Sequence, residues 1–146
     1  MQSSAYIGIA LLMGVAMSIY LPMNSSVSRY LGSSIAATVT FYAVALLTAA
    51  VILMLSGEQG AITGIGQVPI YLYLAGFISA FMILGTTFLI PKIGARKFFI
   101  LLISGQILMA IIVSHFGILE SPRDPITFKK VLAAGLVIAG AFLSTG

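Results

Sequence analysis

The sequence predicts an all-α membrane protein of five transmembrane helices, and three observations carry that reading. Apolar stretches fill almost all of the 146 residues, with 60% hydrophobic residues, 7% charged residues and a mean hydropathy of +1.18. No Asp or Glu lies inside any of the stretches. The runs are too long for barrel strands and lack their alternation, so helices remain as the spanning structure. Five such runs in succession, without amphipathic polar faces, exclude a soluble helical core.

The first span is expected from about Ala5 to Leu31, kinked at Pro22, because proline has no N–H to donate and crowds the carbonyl of Ser18. The second covers 35–55. The connection from Ser56 to Ile70, rich in Gly and containing Pro69, is expected to be a loop on one membrane face. The third span covers 71–90 and the fourth 98–114. The fifth covers 128–144 if Phe128, Lys129 and Lys130 extend its apolar run and both ammonium groups snorkel to the headgroups. No linker or low-complexity segment divides the chain, so 1–146 is expected to be a single domain. No Lys or Arg precedes the first apolar run, so that run is not expected to be a signal peptide.

The composition excludes several functions. There are no cysteines, which removes disulfide, zinc-thiolate and thiol chemistry. The net charge of +4 comes from seven dispersed basic residues at helix ends, where lipid phosphates and not nucleic acid are the expected partner. No nucleophile with an attendant base, metal-ligand cluster or phosphate loop is present, so neither an enzyme nor a cofactor is expected. The absence of an intramembrane carboxylate also argues against the single-site proton coupling of small proton-driven transporters.

Five spans put the termini on opposite sides. The N-terminal face would carry Arg123, Lys129 and Lys130, and the other face Arg29, Lys92, Arg96 and Lys97, a count of three against four. Orientation follows this difference, so either the C-terminus prefers the cytoplasm slightly or the chain inserts both ways. The three acids, Glu58, Glu120 and Asp124, fall in loops on the N-terminal face and contribute little to orientation.

Polar residues within the spans are the candidate binding residues. Ser18, Tyr20, Pro22 and Asn24 cluster in the first span, where backbone opened by Pro22 is tolerated only beside protein or a water-filled cavity. The cluster is therefore either a plain kink or the wall of a substrate cavity. Gln106, between Gly105 and the rest of the fourth span, is costly against lipid, so it makes either an interhelical hydrogen bond or a cavity contact. Tyr42 is a weaker lining candidate. Thr38, Thr40, Thr48, Thr86 and Thr87 are expected to bond backbone or a neighbouring helix, and His115 to sit at the membrane interface.

Pro22-Met23-Asn24, Leu31-Gly32, Phe41, Gly76, Pro91-Lys92-Ile93-Gly94-Ala95, Gly105-Gln106 and His115-Phe116-Gly117 occur in the order found in the YdcZ family. Over nearly its whole length the chain resembles these small bacterial inner-membrane proteins of the drug/metabolite transporter superfamily. It departs from the family's tendencies at Asn24, Ser28, Ser79 and Ser114, where Gln, Asn, Gly and Asp are usual. The resemblance implies half of a ten-helix inverted-repeat architecture, completed by a second copy inserted upside down. It further implies a multi-pass inner-membrane transporter, an exporter of metabolites or drug-like molecules, with the substrate near the midplane. Ser18, Pro22, Asn24, Gln106 and Tyr42 would then line the cavity. A non-transporting scaffold or regulatory subunit, and one half of a heterodimeric transporter, are the alternatives.

Overall fold

The computed structural model describes residues 2–118 and 121–145. They form five α-helices: α1 Gln2–Leu31, α2 Ser34–Ser56, α3 Leu74–Ile93, α4 Ala95–Phe116 and α5 Phe128–Thr145. Four segments are long and apolar enough to cross a membrane, namely Ser4–Leu31, Ser34–Ser56, Ile70–Ile93 and Ala95–Phe116. α5 has 18 residues, a length of about 27 Å at 1.5 Å per residue, and is not among the four. Glu120, assigned by the sequence to a loop, lies outside the described residues.

α1 continues through Pro22 to Leu31, the C-terminal bound expected for the first span. The observed elements differ from the expected ones in two places. α3 runs past Pro91 to Ile93; proline in the last turn removes one helical donor but leaves the earlier turns intact. The connection after α2 is not irregular: Gln59–Gln67 and Ile70–Tyr73 are 3₁₀ helices. The Gly-rich composition of Gln59–Gln67 disfavours a longer α-helix, and side chains pin the connection locally. Gln59 Nε2 donates to the Met54 carbonyl at 2.8 Å, and the Tyr73 hydroxyl donates to the Ile65 carbonyl at 2.7 Å.

Short links join the helices. α1 passes into α2 through Gly32, at φ 66°, and Ser33, whose hydroxyl caps α2 by accepting from the Ala36 N–H at 3.2 Å. Hydroxyls inside the helices bond back to their own turn, as an apolar solvent requires. Thr38 reaches the Ser34 carbonyl at 2.8 Å, Thr40 that of Ala37 at 2.9 Å and Thr48 that of Val44 at 2.9 Å.

The chain divides into two compact units, residues 1–92 and 93–146. In the first unit, Leu21, Asn24, Ser25 and Ser28 form one buried stripe of α1, at the spacing of a single helix face. Ala37 and Thr38 of α2 are buried as well, together with Ile83, Thr86, Thr87 and Ile90 of α3. In the second unit α4 and α5 are in contact, and Ala134 and Ala141 are the buried residues of α5.

Candidate functional site

The first unit holds an open groove of about 470 Å³ between α1 and α2. Tyr20, Met23, Asn24 and Val27 line it from α1, and Thr40, Phe41, Val44 and Ala45 from α2. Positions 20, 23, 24 and 27, like 40, 41, 44 and 45, are single helix faces, so regular helix geometry is enough to assemble the wall. No charged side chain contributes. Tyr20 and Phe41 stack across the groove with ring centroids 5.9 Å apart and planes 22° from parallel, and Tyr42 meets Phe41 edge-on at 5.3 Å.

Asn24 is the one amide in the groove, and it is 94% buried, with a relative exposure of 6%. Its Nδ2 donates to Thr87 Oγ1 at 2.7 Å, tying α1 to α3. Thr87 Oγ1 in turn donates to the Ile83 carbonyl at 2.7 Å. A hydroxyl has one proton, so with that proton on Ile83 it can only accept from Asn24, which is why the amide presents nitrogen to it. Asn24 Oδ1 takes no hydrogen bond among the described residues. None of the described side-chain N or O atoms is both fully buried and unpaired, so Oδ1 is not fully enclosed.

The residues singled out from sequence fall in different settings. Asn24 is central to the groove. Ser18 is exposed on α1 and donates to the Gly14 carbonyl at 3.1 Å. Pro22 lies half-buried between two lining positions and accepts from the Ser26 hydroxyl through its carbonyl at 3.2 Å. Tyr42 turns to α3, where it shares a 2.5 Å hydrogen bond with Ser79. Gln106 belongs to the second unit, exposed on α4, with no side-chain hydrogen bond among the described residues.

Sequence reasoning did not single out the aromatic wall or Thr87 as Asn24's partner. The signal was present for both: Tyr20 lies two positions from Ser18 and Phe41 lies between Thr40 and Tyr42, each within an apolar span, and a Thr-Thr pair in lipid must find partners. What was missing was the pairing of α1 with α3, a contact across 63 positions.

Four membrane-crossing segments joined by short links, with no carboxylate within them, define a multi-pass helical membrane protein. Residues 5–143 match the family described as "Putative inner membrane exporter, YdcZ", and the chain belongs to that family. It is accordingly a protein of the inner membrane. No curated protein and no solved structure matches it.

Proposed function

We propose that this chain exports a small molecule across the inner membrane as an antiparallel homodimer of five-span subunits, with its substrate near the midplane. The observation that carries the reading is the groove beside Asn24: an uncharged wall with aromatic faces and one buried amide whose carbonyl end is open. Ligand pockets have this composition, mostly apolar with few fixed polar groups, and commonly measure about 300–1,000 Å³. Family membership supports transport over catalysis. In this reading Asn24 and Gln106 contact substrate, while Ser18, Pro22 and Tyr42 shape the wall around them. α5 supplies the fifth span, and the three-to-four division of basic residues supports insertion in both orientations.

The test has two arms. Reporters fused after the C-terminus are expected to be active on both sides of the membrane, and an untargeted comparison of exported metabolites with and without the protein should identify a substrate. A C-terminus found wholly in the cytoplasm would rule out the self-paired antiparallel dimer and require a second, related chain of opposite bias.

A second reading is favoured by one specific contact. The Asn24–Thr87 bond ties two helices, and a non-transporting membrane scaffold would use such a bond for packing alone. Transport and melting measured on the same Asn24 variants separate the two.

A further inference from the structure

We propose that the groove takes uncharged, flat, largely apolar molecules that offer one N–H or O–H donor to Asn24 Oδ1, and that Thr87 sets this donor preference. The proposal rests on the export reading only in taking the groove as the substrate site.

Each part of the ligand description comes from a different feature. The absence of charge follows from the walls: neither α1 nor α2 places a charged side chain there, and an ion in such surroundings would be desolvated without a counter-charge. Flatness follows from Tyr20 and Phe41, which stack on each other and together give the groove an aromatic wall. The donor requirement follows from proton counting at Asn24. If the amide were reversed, Thr87 would have to give its proton to Oδ1, leaving its oxygen 2.7 Å from the Ile83 carbonyl with no hydrogen between them. The observed chain, Asn24 Nδ2 to Thr87 Oγ1 to Ile83 O, uses the one Thr87 proton and one of the two Asn24 N–H groups, and leaves Oδ1 without a partner among the described residues. Thr40, the hydroxyl residue that α2 contributes to the groove wall, has already given its proton to the Ala37 carbonyl at 2.9 Å. Thr87 is therefore a positioning residue: it does not line the groove, yet it decides which end of the amide does.

The chain contains no Trp, so indole emission can be followed without protein tryptophan background. Indole would be titrated into purified protein in liposomes, then displaced by 1-methylindole and by benzofuran, which keeps the shape and lacks the donor. Saturable binding is expected, with indole at least about fivefold tighter than either analogue, the factor of a single hydrogen bond. Thr87→Val frees the amide to reverse and is expected to bring that ratio below about twofold, while Thr87→Ser retains it. Phe41→Leu is expected to weaken all three probes together and leave the ratio intact, which keeps the test open if the Val variant folds poorly. Equal affinity for indole and benzofuran in the parent protein would overturn the donor requirement. A ratio unchanged in Thr87→Val would overturn the role of Thr87, and uptake matching protein-free liposomes would overturn the groove. Donor-selective binding without indole export from vesicles would support this ligand chemistry and refute the export reading, so the two can fail separately.

Discussion

The two units handle polar groups in opposite ways. In residues 1–92 a group of polar side chains is inside: Asn24, Ser25, Ser28, Thr38, Thr86 and Thr87 are all buried, and one of their bonds links α1 to α3. In residues 93–146 Ser104 bonds back to the Ile100 carbonyl within α4 at 2.8 Å, and other polar bonds gather along the connection from α4 to α5. His115 Nδ1 accepts from the Ile126 N–H at 3.1 Å, the Asp124 N–H reaches the Ser114 carbonyl at 2.8 Å, and Lys130 pairs with the Asp124 carboxylate. Polar groups within lipid depth are expensive and are kept where they position something. Polar groups at the membrane edge can be hydrated and serve to fasten a turn. The first unit is therefore where the proposed binding site lies, and the second contains a fastened hairpin.

The largest effect that would break this contrast lies at Asn24. Asn24→Ala should lower export at least about tenfold, the factor of one hydrogen bond of about 1.4 kcal/mol. Melting should fall only slightly, since such interhelical bonds average about 0.6 kcal/mol in membranes and Thr87 keeps its bond to Ile83. If the whole export loss is explained by lost folded protein, Asn24 is packing and the first unit has no binding role.

Next in size is a pair of glycines, one from each unit. Gly32 and Gly117 have φ of 66° and 63°, a region where a Cβ costs about 1–2 kcal/mol. A Cβ on Gly32 would meet nothing within 4 Å, whereas one on Gly117 would lie 3.2 Å from Arg123 Cγ. Gly117→Ala should therefore lower the melting temperature more than Gly32→Ala. Equal losses would mean that the α4–α5 connection is not closely fastened.

A smaller effect is expected at that connection itself. Only an imidazole nitrogen without a proton can accept from Ile126, so His115→Phe removes the acceptor and keeps the ring size. The Ile126 amide should exchange with deuterium roughly threefold to tenfold faster, the range of a bond worth about 0.5–1.5 kcal/mol. Unchanged exchange would show that the bond does not hold the turn. The Asp124–Lys130 pair should matter less still, because exposed pairs contribute about 0.2–1 kcal/mol and the Asp124 side chain is 65% exposed.

Much of this was legible in the sequence because lipid simplifies the problem. The α2 bounds were expected to within one residue, since apolar runs without acids leave little choice of structure. The helix ends at Pro91 and Phe98 were misjudged because proline in a last turn and Arg96-Lys97 in a first turn both resemble boundaries while remaining compatible with helix. The 3₁₀ helices after α2 could not be read from composition, since their order comes from bonds such as Tyr73 to Ile65. At the site, Asn24 stood out as an amide in an apolar span. Thr87 was expected to bond its own backbone or a neighbouring helix and does both, but the sequence did not say that its partner is Asn24. Tyr42 was expected to be a weaker lining residue; that its hydroxyl also bonds Ser79 of α3 could not be read from the sequence.

The smallest expected effect on stability is at Gln106, and its smallness is what makes it useful. Its side chain is exposed on α4 and makes no hydrogen bond among the described residues, so in the isolated subunit it contributes no packing or pairing. Gln106→Leu should shift stability by no more than about 0.5 kcal/mol, as for other exposed positions. Four hydrogen-bonding sites on a membrane helix are nonetheless costly against lipid. Retaining them makes sense only where water, substrate or a second copy meets α4. Export measured beside melting and dimer yield separates these. Loss of export with melting and dimer yield intact would give the second unit a binding role and blur the contrast between the units. Loss of dimer yield would make Gln106 an intersubunit bond, and no change in any of the three would remove it from the site.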